Sequence, residues 1–147
     1  MKTFECKVCG HIVFNAVSGI CPVCNAAADQ FVEKTDVLKR PANPAALTDG
    51  DKKHIPEITV VKECGLIPDG SCTDVHVKVG AIKHVMEEKH YIMWLDFYLN
   101  SKFISRIQLT PAGCQPAAAL HLNAKSGKLA VIENCNIHGK WMAEASL

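Results

Sequence analysis

Along the second two-thirds of the chain, apolar and polar side chains trade places step by step. Val75, Val77 and Val79 alternate with His76 and Lys78, and Phe103, Ile107 and Leu109 alternate with Ile104, Arg106 and Gln108. Period two marks a strand with one buried face. Further strands are expected at 58–64, 91–99, 117–122 and 128–133, with Gly, Pro, Asn and Asp between them. About seven short strands in roughly a hundred residues suit an antiparallel β-sandwich of immunoglobulin type. The chain is thus expected to be mainly β, with the sandwich spanning residues 47–147.

The first 35 residues follow a different logic. Cys6-Lys7-Val8-Cys9 and Cys21-Pro22-Val23-Cys24 are two Cys-x-x-Cys knuckles, and two sulfurs from each tight turn suffice for a tetrahedral four-sulfur site. Gly10 and Asn25 follow the knuckles and tolerate the positive φ that aims backbone amides at the sulfurs. So short a segment buries little core, so residues 1–35 are expected to form a metal-dependent four-cysteine module. Sulfur ligands alone do not separate iron from zinc, and thiol–disulfide exchange is the competing chemistry. Lys39-Arg40-Pro41-Ala42-Asn43-Pro44-Ala45-Ala46 then breaks any regular pattern, and residues 36–46 read as the linker.

Composition narrows the function classes. Sixteen basic and fifteen acidic side chains create no field to hold a phosphate backbone, so nucleic acid is not an expected partner. The apolar runs are too short to cross a bilayer, so no membrane partner is expected either. Met1 leads at once into the first cysteine motif, leaving no room for a signal peptide, and the expected location is the cytoplasm. In that compartment eight cysteines argue for metal ligation over disulfides.

Candidate chemistry concentrates in the C-terminal part. Cys135-Asn136-Ile137-His138-Gly139 sets a thiolate and an imidazole within one turn of each other, and His54, His84 and His90 can complete the set. Four neutral imidazoles and one thiolate exceed the closed tetrahedron of structural zinc, and nitrogen-rich tetragonal geometry leaves a sixth position open. An electron carrier without turnover, or a zinc-stapled interaction domain, would use the same residues.

At these residues the chain resembles the superoxide reductases of the desulfoferrodoxin and neelaredoxin type. Their motifs read Lys-His-x-Pro, His-x-Met-x-x-x-His-Tyr-Ile and Cys-Asn-x-His-Gly-x-Trp, present here as Lys53 to Pro56, His84 to Ile92 and Cys135 to Trp141. The first segment is similar to a rubredoxin-like or zinc-ribbon-like module of the kind found at the tail of rubrerythrins. The resemblance implies the sandwich fold, a mononuclear iron held by His54, His84, His90, Cys135 and His138, and iron or zinc held by Cys6, Cys9, Cys21 and Cys24. It implies one-electron reduction of superoxide to hydrogen peroxide without dismutation, a rubredoxin-like electron donor and a homodimer. Lys53 matches the family lysine that attracts the anion and helps deliver protons.

Three departures qualify the match. The second cysteine pair is adjacent in desulfoferrodoxin, whereas two residues separate Cys21 from Cys24. Lys52 stands where the family commonly has a glutamate that closes the sixth position of ferric iron, and Asp51 is one residue too early to replace it. Val85 stands where proline is common. Outside the motifs, Cys64, Cys72 and Cys114 are expected to be free thiols or packing residues, although Cys64 and Cys72 flank a turn that a disulfide would close. His76 and His121 are expected to be strand-face residues and Trp94 a core residue, with Trp141 close enough to the Cys135 loop to shield a site.

Overall fold

Strand β6 (Thr73–Val79) follows the expected alternation, burying Thr73, Val75, Val77 and Val79 and turning the residues between them outward. In the computed structural model, which describes residues 1–147, β6 is the middle of a three-stranded antiparallel sheet, between β5 (Pro56–Val61) and β9 (Ala117–Leu122). It faces a five-stranded sheet ordered β4 (Leu38–Lys39), β11 (Gly139–Ser146), β10 (Lys128–Cys135), β7 (Ile92–Leu99) and β8 (Lys102–Gln108). Val75, Val77 and Val79 meet Leu95, Phe97, Leu129 and Val131 in the main core. The result is a β-sandwich, as its alternation predicts.

Strands β7 and β10 do not alternate, because they are buried on both faces. Their inner face joins the main core, and Trp94, Tyr98, Ala130 and Ile132 on the outer face meet Ile12 and Phe14. Those two residues belong to β2 (Ile12–Phe14), which with β1 (Thr3–Cys6) and β3 (Phe31–Glu33) forms a separate three-stranded sheet. The N-terminal module therefore docks on the sandwich and covers apolar surface there.

A buried polar network sits at that junction. Arg106 donates to Asp96 through Nε at 2.5 Å and Nη2 at 2.8 Å, and Asp96 is fully buried. The same guanidinium donates through Nη1 to the carbonyl of Cys9 at 3.0 Å and lies 3.7 Å over the Trp94 ring. His11, also buried, places Nδ1 2.9 Å from Asp96, and the Tyr98 hydroxyl donates to the carbonyl of Ile12 at 2.8 Å. A bidentate arginine on a carboxylate is the strong form of this interaction, and here it joins the two modules.

Elements outside the alternating strands differ from the sequence reading. Residues 38 and 39, inside the expected linker 36–46, form β4, which pairs in parallel with β11. Strand β11 itself is not marked by periodicity, since its burial follows no clean alternation.

Candidate metal centre

Two loops and one short helix bring the histidines together. Helix α1 (Asp49–His54) starts at a capping box, with Thr48 Oγ1 accepting from the Asp51 N–H and the Asp51 carboxylate accepting from the Thr48 N–H at 2.8 Å. The helix ends at His54 because Pro56 opens β5. Gly80 fixes where it ends. A side chain there would overlap the Lys52 carbonyl oxygen and lie 2.9 Å from the Lys53 carbonyl carbon, so the backbone after β6 passes against α1. The Ile82 N–H donates to the Lys52 carbonyl at 3.1 Å and ties the same loop to the helix.

His84 and His90 converge through a turn. The His84 N–H donates to the Val79 carbonyl, and a reciprocal pair of backbone bonds between Glu87 and His90 closes the loop. Asn136 then binds this loop to the Cys135 loop. Its Oδ1 accepts from the Tyr91 N–H at 2.9 Å and its Nδ2 donates to the Lys89 carbonyl at 3.1 Å. Cys135 ends β10 at a bulge in the pairing with β7, and Gly139, with φ of 80°, turns the chain into β11.

The four imidazoles form a square. Ring centroids lie 4.8 Å apart for His54–His84, 4.7 Å for His84–His90, 4.9 Å for His90–His138 and 4.8 Å for His138–His54. The diagonal His54–His90 is longer, at 6.5 Å. Neighbouring rings cross at 68° to 82°, in the manner of propeller blades around a common axis. His54 Nε2 and His138 Nδ1 approach to 3.2 Å, and the buried Nε2 atoms of His84 and His90 have no hydrogen-bond partner. Such orphaned nitrogens fit a cation in the centre. The outer nitrogens are held, with His54 Nδ1 donating to the Gly50 carbonyl at 2.7 Å and His84 Nδ1 to the Val85 carbonyl at 2.6 Å.

Cys135 supplies the fifth donor from the core side. Its sulfur lies 3.7 Å from His138 Nδ1 and accepts from the His138 N–H at 3.4 Å. All five donor atoms fall within 4.8 Å of one another, as a square pyramid with bonds of about 2.0–2.3 Å requires. Burial pushes the His54, His84 and His138 imidazoles down, His84 to about 4, and so favours the neutral form that ligates. Burial pushes the Cys135 thiol up, partly offset by the amides of His138 and Ile137, and an entering cation would displace its proton.

The face opposite the sulfur is open. A cavity of about 470 Å³ adjoins His54, His84, His90 and His138 and is bounded by Lys39, Lys53 and Trp141. Trp141 stacks on His54 at 5.3 Å and 19°, so it walls the centre as well as packing. Asp51 borders the cavity, but its carboxylate is engaged by Thr48, and Lys52 does not line it. Lys39 carries no signal in the sequence, because it arrives by the pairing of β4 with β11. Behind the centre, Glu133 is buried without a hydrogen-bond partner for either oxygen, and burial pushes its carboxyl well above the usual carboxylate range.

The cysteine module has matching geometry. Cys6 and Cys24 sulfurs lie 3.7 Å apart and those of Cys9 and Cys21 3.6 Å apart, close to the edge of about 3.8 Å in a tetrahedron with metal–sulfur bonds of about 2.3 Å. Gly10 and Asn25 adopt φ of 74° and 61°, as the knuckle turns require. His76 is exposed and Trp94 is core, as expected, whereas Cys64, Cys72 and His121 gather in a third cluster.

Comparison with known proteins agrees with both centres. Residues 46–144 match the desulfoferrodoxin family and residues 4–32 the rubredoxin-like domain of rubrerythrin. The desulfoferrodoxin of Desulfarculus baarsii is 34% identical, over 98% of this chain and 96% of that one. The superoxide reductase of Pyrococcus horikoshii is 30% identical, over 65% of this chain and 88% of that one. A solved superoxide reductase from Nanoarchaeum equitans superposes with a TM-score of 0.58 at 30% identity, covering 75% of this chain and 99% of that chain. No helix here is long and apolar enough to cross a membrane. Taken with the square of imidazoles over Cys135, these matches establish that the chain belongs to the desulfoferrodoxin family, with a site of four histidines and one cysteine and a four-cysteine rubredoxin-like centre.

Proposed function

We propose that the protein is a superoxide reductase, converting superoxide, one electron and two protons to hydrogen peroxide. The observation that carries this reading is the arrangement of four imidazoles in a plane, a thiolate on the buried side and an open cavity on the other. A sealed electron carrier has no use for that cavity. Iron bound by His54, His84, His90, His138 and Cys135 would supply the electron, and the anionic sulfur would favour giving it up.

The chain's own residues select the substrate. Lys53 and Lys39 put two cations at the cavity wall, and a small anion is drawn to them by a field that salt weakens. Lys53 sits at the helix end next to His54 and lines the cavity, where its ammonium would help deliver protons to the product. Asp51 is held by Thr48, and Lys52 is not part of the cavity wall, so neither side chain would stand between the cavity and an iron held by the five ligands.

The N-terminal module serves as the entry for electrons from an external rubredoxin-like donor. Support comes from its docking, in which the Cys9 carbonyl is bonded to Arg106 and Arg106 covers Trp94, whose strand pairs Trp94 with Asn134 beside Cys135. Modules at residues 1–35 and 47–147 would then be functional units as well as structural ones.

The test is rapid mixing of the reduced protein with superoxide. Appearance of the thiolate-to-iron absorption band at a rate proportional to superoxide supports the reading, and its loss in Cys135→Ser assigns the band. A band that forms no faster with superoxide than with dioxygen alone would exclude it.

A further inference from the structure

A third set of metal-ligating side chains lies on the other sheet. Cys64, Cys72, Asp74 and His121 place one donor atom each within 4.8 Å of one another. Strand geometry explains three of them. Cys72, just before β6, and Asp74 within it are two residues apart and so point to one face, and Asp74 is directly opposite His121 on β9. Cys64 comes from the loop joining β5 to β6, folded back over the sheet end.

The distances are those of a coordination shell. His121 Nδ1 lies 3.2 Å from the Cys64 sulfur and 3.5 Å from the Cys72 sulfur, and the Cys72 sulfur lies 3.4 Å from Asp74 Oδ1. A tetrahedral ion with bonds of about 2.3 Å to sulfur and about 2.0–2.1 Å to nitrogen or oxygen requires sulfur–nitrogen and sulfur–oxygen edges of about 3.5 Å. The His121–Asp74 pair is tighter, at 2.8 Å, a hydrogen-bond distance. Two thiols, a carboxylate and an imidazole thus converge, and a cation sits beside them. Lys125 Nζ donates to the Cys72 carbonyl at 2.5 Å and to the Lys62 carbonyl, bracing both ends of the loop.

We propose that Cys64, Cys72, Asp74 and His121 bind one zinc ion, which pins the β5–β6 loop to the sheet. Two sulfurs, one nitrogen and one carboxylate oxygen form the mixed, borderline-soft set that zinc takes in closed four-coordinate sites. Both thiol protons leave as the ion enters, and the two thiolates and the carboxylate leave the loaded site with one excess negative charge, with the Lys125 ammonium nearby at the Cys72 carbonyl. Thr73 and Val79, at the two ends of β6, are about 20 Å apart at the usual rise per residue, and His84 hangs from the Val79 carbonyl. The zinc site and the iron centre are therefore separate.

The experiment is a metal count on the full chain, purified with both other centres loaded and equilibrated with zinc under anaerobic conditions. Wild type is expected to retain one zinc ion per chain more than Cys64→Ser and one more than His121→Ala, with the thiolate-to-iron absorption unchanged in all three. His121 is partly exposed on a strand, so its variant keeps the fold and separates lost ligation from unfolding. Cobalt supplied in place of zinc to parallel preparations should give additional thiolate-to-cobalt absorption in wild type only. Equal zinc in wild type and variants would overturn the proposal, as would an intact wild-type mass short of two hydrogens with the Cys64 and Cys72 peptides cross-linked.

Discussion

Lys53 and Lys39 reach the same cavity from opposite directions, one from a helix end and one from a two-residue strand. If they act by attracting an anion, Lys53→Ala should slow the reaction with superoxide about tenfold at low ionic strength and flatten its salt dependence. The double change with Lys39→Ala should flatten it further, which rates measured across a salt series will show. Asn136 acts differently, by holding the His90 loop to the Cys135 loop through two bonds. Asn136→Ala should leave the ligands chemically intact yet weaken iron retention about 10–100-fold, as loss of a group that orients ligands does, measured by competition with a chelator. At this scale the four histidines and Cys135 are legible in the sequence because three motifs fix their spacing. Lys39 is not, since its position depends on a parallel pairing across about a hundred residues, and neither is the Cys64 cluster, which the β6–β9 register assembles.

Elements matter to the site chiefly through how closely they approach. Helix α1 has only six residues and cannot hold its own position, so the loop after β6 must press against it. Gly80→Ala puts a methyl group into the Lys52 carbonyl. It should cost about 1–3 kcal/mol and lower iron content together with thermal stability, whereas a change at Gly65, with open space around it, should do neither. The alternating strands are readable because one face of each is wet, and β6 is the clearest case. Strands β7 and β10 read less cleanly because the N-terminal module dries their outer face. Strand β11 gives no periodic signal because Trp141 is its one buried residue. The helix is too short to show a period, although Thr48 and Asp51 form its capping box.

For the whole molecule, the docking of the cysteine module decides whether two metal centres act as one system. Arg106→Ala would leave Asp96 buried with only His11 and the Tyr98 hydroxyl and should cost about 3–5 kcal/mol in urea denaturation. It should also free residues 1–35 to proteolysis, while the iron band of the other centre persists. Removing metal from the four cysteines should loosen the same junction, because Ile12 and Phe14 are nearly all the apolar core the module has. The measurement that reaches the central claim most directly is product stoichiometry, with peroxide and dioxygen followed together as superoxide is consumed by the reduced protein. One peroxide per superoxide and no dioxygen is the result expected of the open face above the four imidazoles. One peroxide per two superoxide with dioxygen evolved would mean dismutation, and would contradict it.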